Sequence, residues 1–238
     1  MTIGTGGQVF VPLTQPLIDP ALRLHTFCHA PEARWYLLGA MLSAGMALRW
    51  LRSMLGREKA SYAELLQLAA DVPPGSEGLV FLPYLVGERS PIMDPRAKGA
   101  FVGLALRHGP GHLVRALLEG VAFALRQIVY IMVDCGADLT RLAASGNGLA
   151  NPLWRQIVAD VLVRPLLQGA DEHASERAGV GAAMIAGIGA GVFKGYEDAR
   201  KLAPVFEAVT EPNPEAAARY ESHYQRFADV YPRLRDWF

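Results

Sequence analysis

Cysteine is almost absent from this sequence: Cys28 and Cys135 are the only two in 238 residues. Neither sits in a metal-ligand spacing, and two thiols in a chain of this size point to a reducing compartment. No basic run occurs, and Lys+Arg equals Asp+Glu at 23 each, which removes the electrostatic case for a nucleic-acid partner. No secretory signal is visible, because the first residues carry Gly, Thr, Gln and Pro instead of an apolar core. No apolar run reaches the roughly 20 residues of a membrane span. The most membrane-like stretch, residues 178–193, is broken by Gly179, Gly181, Gly187, Gly189 and Gly191 and reads as a tightly packed interior helix. Internal repeats and low-complexity tracts are missing too. What remains reads as a cytoplasmic chain with no nucleic-acid and no membrane partner. At 51% apolar and 19% charged it is long enough to bury a sizeable core.

Glycine, by contrast, is placed with purpose. Two glycine-rich tips stand far apart: Gly4-Thr5-Gly6-Gly7 near the start and Ser145-Gly146-Asn147-Gly148 past the middle. The first carries Thr5, a hydroxyl donor, on a turn between two hairpin arms, residues 1–3 and 8–11. The second follows a short apolar strand and opens a helix whose boundary is marked by Asn151 as N-cap and Pro152 in the first turn. Glycines at a strand-to-helix turn let backbone N–H groups approach an anion, and the helix N-terminus adds a positive dipole end. Two such tips predict two walls of one cleft for a phosphate or a nucleotide. The plain alternative is two ordinary turns, since glycine punctuates most loops.

Along the chain, a Pro-punctuated loop spans residues 12–31, and a helix is expected over 38–55 with Gly56 as its C-cap. Ser61-Tyr62-Ala63-Glu64 forms a capping box that opens a second helix. A buried strand is expected over 79–82, a long loop over 83–98 and another strand over 99–104. A long helix follows from Pro110 to about residue 134, with Leu113, Leu117, Val121, Leu125 and Ile128 at helical spacing. The remainder reads as strand 139–144, helix 152–162, strand 165–167, the Gly-rich helix from Arg177, and a terminal helix opened by Asn213-Pro214. The alternation predicts an α/β fold as one domain, residues 1–238.

Several of these segments together resemble a known family. Gly78-Leu79-Val80-Phe81-Leu82-Pro83-Tyr84-Leu85-Val86-Gly87-Glu88-Arg89-Ser90-Pro91 resembles the C-terminal domain of the FGGY carbohydrate kinases, xylulokinases most of all. So does Gly99-Ala100-Phe101-Val102-Gly103-Leu104, followed after a spacer by His112-Leu113-Val114-Arg115-Ala116-Leu117-Leu118-Glu119-Gly120. The resemblance extends over essentially the whole chain. It implies an actin-like ATPase, ribonuclease-H-like domain, the second of two lobes that close on ATP, with Mg²⁺ as companion ion. It also implies transfer of the γ-phosphoryl group to a sugar hydroxyl, D-xylulose at its fifth carbon in xylulokinases. On that footing Thr5 faces the phosphates and Gly45 and Arg49 lie on the first long helix beside the nucleotide. Gly146, Asn147, Gly148 and Asn151 form the adenine-side turn. Asn147 stands where the family usually has Gly, a residue type that tolerates left-handed backbone. The family's proton-accepting aspartate and its sugar contacts match nothing in this chain, which begins at the hairpin's first strand. The catalytic residue is therefore unknown here, and the sugar would be held by a missing N-terminal lobe. A second copy of the chain is a further candidate partner.

Other residues are weighed against this. Glu88, Asp94, Asp171, Glu172 and Glu176 are loop carboxylates, whose ordinary role is solvated or capping; Glu88-Arg89 reads as a local ion pair or an edge of the cleft. His25, Cys28 and His29 lack the second ligand pair that a zinc site needs, so no metal site is expected. His112 reads as a helix cap, and Trp50 and Trp154 as core residues that could border an adenine pocket. The rival from another class is a dinucleotide-binding domain, with Gly146-Asn147-Gly148 opening its helix and Asp171-Glu172 as the ribose contact. A third reading is a non-catalytic nucleotide-binding module or a fragment.

Overall fold

In the computed structural model, which describes residues 1–169, 177–203 and 205–238, the chain opens with an antiparallel hairpin, β1 (Thr2–Ile3) and β2 (Gly7–Leu13). Strand β2 alternates buried Gly7, Val9 and Val11 with exposed Gln8, Phe10 and Pro12, the period of two that lays one face on a core. β3 (His25–Cys28) and β4 (Trp35–Met41) complete a sheet in the order β1-β2-β4-β3. β5 (Val80–Leu82) and β6 (Ala100–Val102) pair separately as a short antiparallel ladder. β7 (Leu142–Ala143), β8 (Leu166–Gly169) and β9 (Phe206–Thr210) form a second row, β7 parallel to β8. The two rows meet at β1. Ile3 N–H donates to Ser145 O at 3.1 Å and Ser145 N–H to the Met1 carbonyl at 3.0 Å, a parallel bridge. This isolated bridge joins the antiparallel row to the row that carries the parallel pair.

Helices α1 (Gly45–Met54), α2 (Tyr62–Gln67), α3 (Pro110–Asp134), α4 (Asn147–Ala150) and α5 (Pro152–Leu162) follow. Then come α6 (Arg177–Gly189), α7 (Tyr196–Ala199) and α8 (Pro214–Leu234). The capping signals act as read. Ser61 Oγ accepts from Glu64 N–H while Glu64 returns a bond to Ser61 N–H. Asn151 caps α5 and Asn213 caps α8, and the His112 ring accepts from Gly109 N–H at the start of α3. α3 is the centre: every residue from Val114 to Arg126 is buried. It is long and apolar enough to cross a membrane, but the fold wraps it.

Three expectations are corrected. Residues 38–41 belong to strand β4, and the helix begins only at Gly45. A continuous apolar run has no period to separate strand from helix, and the aromatic pair Trp35-Tyr36 favours the pleated surface. The segment read as a loop over 12–31 contains strand β3. Finally, α6 is not interior: most of it is exposed, with Val180 at 40% and Ile185 at 50%. An apolar helix is interior only if neighbours cover it, and none of the described elements does so.

The buried charges of α3 tie the core to α8. Arg115 Nε lies 2.7 Å from Glu119 Oε1, its Nη2 donates to Tyr220 OH at 2.6 Å, and the Tyr220 hydroxyl and Gly75 N–H both donate to Glu119 Oε1. Arg115 is 6% exposed and Glu119 2%. Removing one partner leaves an uncompensated buried charge, whereas replacing both with apolar groups of similar volume avoids that cost. Glu119→Ala is therefore expected to lower unfolding free energy by ~3–5 kcal/mol in urea denaturation. The double variant Arg115→Met/Glu119→Leu should lose much less, and equal losses in the two proteins would contradict this reading of the network.

Candidate functional site

The hairpin tip between β1 and β2 rests on the start of α1. Gly45 N–H donates to Gly4 O at 2.9 Å, while Ala44 and Met46 N–H donate to Thr5 O at 3.1 and 3.0 Å. The first N–H groups of a helix have no intrahelical acceptor, and here the tip's carbonyls supply them. A side chain on Gly45 would collide with Gly4 O, so glycine there permits the seat. With its carbonyl turned to the helix, Thr5 is exposed and its hydroxyl has no partner among the described residues.

The second tip closes on β1 from the other side. Gly146 has φ 84°, and a Cβ there would lie 2.5 Å from Ile3 O and 2.7 Å from Thr2 Oγ1. Positive φ and close backbone approach both require glycine at this position. Within this turn the left-handed geometry falls on Gly146, and Asn147 begins α4. Asn147 and Gly148 are the first residues of α4, and their N–H groups lack intrahelical acceptors.

Between the tips lies a cavity of about 400 Å³. Of the residues singled out from sequence, Thr5, Gly45, Arg49, Asn147 and Gly148 line it. Gly146 and Asn151 do not. Gly146 shapes the turn against β1, and Asn151 Oδ1 accepts from Trp154 N–H at 3.2 Å. Tyr62, Leu66 and Trp154 also line the cavity. Trp154 is 1% exposed and donates its indole N–H to Leu118 O at 3.3 Å, so it is both core and cavity wall. Trp50 instead stacks on Phe81. Tyr62 went unnoticed in the sequence although the capping box places it at the first position of α2. The Arg52 guanidinium lies 4.4 Å from its ring centroid.

The chemistry of the lining is one-sided. Its donors include the Thr5 hydroxyl, the N–H groups of Asn147 and Gly148 and the Arg49 guanidinium, and no carboxylate is among the described lining residues. Such a site suits an anion beside an apolar body. It does not fit Mg²⁺, which takes hard oxygen ligands and usually at least one carboxylate. Among the described residues no three His, Cys, Asp or Glu converge, so no step is assigned to the ion here.

Glu88 and Asp94 lie elsewhere. Asp94 accepts from Tyr231 OH at 2.7 Å, which with Arg96 N–H holds its pKa below the usual range. Glu88 is buried at 3% exposure, and loss of solvent pushes its pKa up to about 7. It makes no side-chain ion pair with Arg89, contrary to expectation: it accepts from Arg89 backbone N–H, and the Arg89 guanidinium reaches His25 Nε2 at 3.0 Å. Asp171, Glu172 and Glu176 lie outside the described residues. The dinucleotide reading fails on topology. Its glycine turn belongs to the first strand of a parallel unit, whereas β7 comes late and borders β1, itself paired to antiparallel β2.

Comparison with known proteins decides the family. The profile described as "FGGY family of carbohydrate kinases, C-terminal domain" matches residues 1–190. The chain belongs to the FGGY family of carbohydrate kinases. It is 38% identical over 233 residues to the xylulose kinase of Lactococcus lactis, covering 97% of this chain and 46% of that protein. The gluconokinase of Bacillus subtilis is 34% identical, over 68% of this chain and 33% of its own length. The solved structure of xylulose kinase from Rhodospirillum rubrum superposes with a TM-score of 0.84 at 37% identity, covering 99% of this chain and 47% of the other. The chain thus spans about half the length of the xylulose kinases it matches, and its fold is that of the C-terminal, actin-like lobe of FGGY kinases.

The geometry separates capping from lining at one position. Asn151→Ala is expected to lower stability by ~1 kcal/mol through loss of the α5 cap, read as a lower melting temperature. It should leave affinity for any cavity ligand within about twofold, since Asn151 does not line the cavity; a larger loss of ligand would place its side chain at the site.

Proposed function

We propose that this chain is the nucleotide-binding half of an ATP-dependent, cytoplasmic sugar kinase acting on a pentulose such as D-xylulose. The observation that carries this reading is the cavity between the two tips, whose described lining combines hydrogen-bond donors with Tyr62, Leu66 and Trp154 and includes no carboxylate. The xylulose kinase relatives support the choice of sugar. Phosphoryl transfer is mostly positioning and charge stabilisation. Thr5 donates its hydroxyl to the phosphate chain, the Asn147 and Gly148 amides and Arg49 draw the anion in, and the apolar wall takes the base. A sugar hydroxyl must also lose a proton in the transfer, and that needs a base within hydrogen-bond reach. None of the described cavity-lining residues is a carboxylate, and on this reading the base and the sugar contacts come from elsewhere.

Calorimetry on the isolated chain should give weak binding of ATP and ADP. Arg49→Ala should weaken it about tenfold, the scale of a charge-assisted hydrogen bond, with no change in melting temperature. Tight NAD binding without ATP binding would overturn the assignment. Loss of a general base removes ~10²–10⁴-fold in rate, so a coupled ADP-release assay should show no D-xylulose-dependent turnover by this polypeptide alone. Turnover near ~1–100 s⁻¹, the ordinary kinase range, would place the base among this chain's own carboxylates.

A further inference from the structure

The loop that carries Glu88 is clamped to the end of β4 and so to the first tip. Glu88 Oε1 accepts from Leu42 N–H at 2.7 Å and from Arg89 N–H at 2.8 Å. Two residues on, Ser90 N–H donates to Ala40 O at 3.0 Å, and the Ser90 hydroxyl to Arg23 O. Leu42 opens the turn between β4 and α1. On its other side that turn carries the tip: Gly6 packs so closely that a Cβ there would lie 2.5 Å from Met41 O and 3.3 Å from Leu42 O. Ala44, Gly45 and Met46 N–H hold the Gly4 and Thr5 carbonyls. A carboxylate 46 residues away in sequence from Leu42 therefore fixes the peptide against which the Thr5 tip is seated.

We infer that Glu88 is a positioning residue for the phosphate-facing tip, acting through the Leu42 amide and the β4–α1 turn. It is not a catalytic residue, because its carboxylate is enclosed. This rests on the proposed role of Thr5 at the phosphates. Oε1 carries both hydrogen bonds, and Oε2 is buried without a partner among the described residues. Such a carboxyl is poorly compensated when charged, and burial raises its pKa to about 7. The groups around it leave it as the titrating site. Arg89 is the nearby cation and points to His25. Tyr84, fully buried, stays protonated, and the Asp94 carboxyl is turned to Tyr231 and Arg96. Protonated Glu88 keeps Oε1 as a neutral acceptor, while ionised Glu88 grips the Leu42 amide with a shorter, charge-assisted bond. The folded pKa lies above the unfolded value of 4.5, so the stability linked to this group is present at low pH and lost as pH rises through about 7. Hold on the tip tightens over the same interval.

Three proteins test this: wild type, Glu88→Gln and Glu88→Ala, each titrated with ATP by calorimetry at pH 6 and pH 8.5, with melting temperatures measured in parallel. Glu88→Gln keeps a neutral acceptor and should bind ATP as wild type does at pH 6. At pH 8.5 it should bind about fivefold more weakly, the difference between neutral and charge-assisted bonds. ATP's own titration is common to both proteins and cancels in the ratio. The melting temperature of wild type should fall from pH 6 to pH 8.5 by more than that of Glu88→Gln. Glu88→Ala leaves the Leu42 amide buried and unpaired, and should lose about tenfold in affinity at both pH values. If Glu88→Ala fails to fold, the Glu88→Gln ratio decides alone. Wild type that binds ATP, with a Glu88→Gln ratio unchanged between the two pH values, overturns this inference and leaves the nucleotide site standing. Wild type that binds no ATP overturns both.

Discussion

Strand β1 is two residues long, and the candidate site hangs from the backbone around it. Ile3 donates its amide to Ser145, and its carbonyl lies where a side chain on Gly146 would go. One residue further, the Gly4 carbonyl takes the Gly45 amide and fills the space of a Gly45 side chain. The two tips and the start of α1 are therefore packed backbone against backbone. Their glycines are required by contacts inside the protein, before any ligand is considered. A turn of this kind is preorganised because the fold already satisfies the steric demand that glycine answers.

That arrangement assigns different work to similar groups. The first amides of α1 are engaged by the Gly4 and Thr5 carbonyls, so this helix end holds protein instead of anion. The Thr5 hydroxyl and the amides of Asn147 and Gly148 are left as the donors at the cavity, with Arg49 as its charge. Packing keeps two loop carboxylates from it: Asp94 is drawn to Tyr231, and Glu88 is turned beneath the β4–α1 turn. A lining of donors can hold a phosphorylated ligand and steady its charge. Its described residues include no carboxylate to take a proton from a hydroxyl.

The core supporting the site is organised by α3, whose buried Arg115 and Glu119 are satisfied only because Tyr220 of α8 and the Gly75 amide reach them. Trp154 extends that core to the cavity wall, one side of the indole anchored to Leu118 O. By contrast α6 presents Val180 and Ile185 to solvent. An apolar helix face of this kind differs from scattered exposed residues, and it shows that composition alone does not place a helix in the interior.

What local chemistry encodes was legible in the sequence. The caps at Ser61, Asn151 and Asn213, the bounds of α3 and α5, and the hairpin around Thr5 follow from residues within a few positions of one another. The resemblance carried the fold and family, and the two tips carried half of the cavity. The rest depended on residues distant in sequence. Whether residues 38–41 become strand or helix is decided by pairing with β2, since an apolar run suits either. Tyr62 reaches the cavity only because α2 folds back beside α1, and Asn151 leaves it because its side chain is taken by the Trp154 amide. Gly146 takes positive φ where the Ile3 carbonyl leaves no room for a side chain. Glu88 reads as one more loop carboxylate until the fold brings the Leu42 amide to it. Sequence determined the elements whose partners are near along the chain. Tertiary structure alone decided which groups are buried, which are engaged and which remain free, because those depend on backbones that meet only in three dimensions.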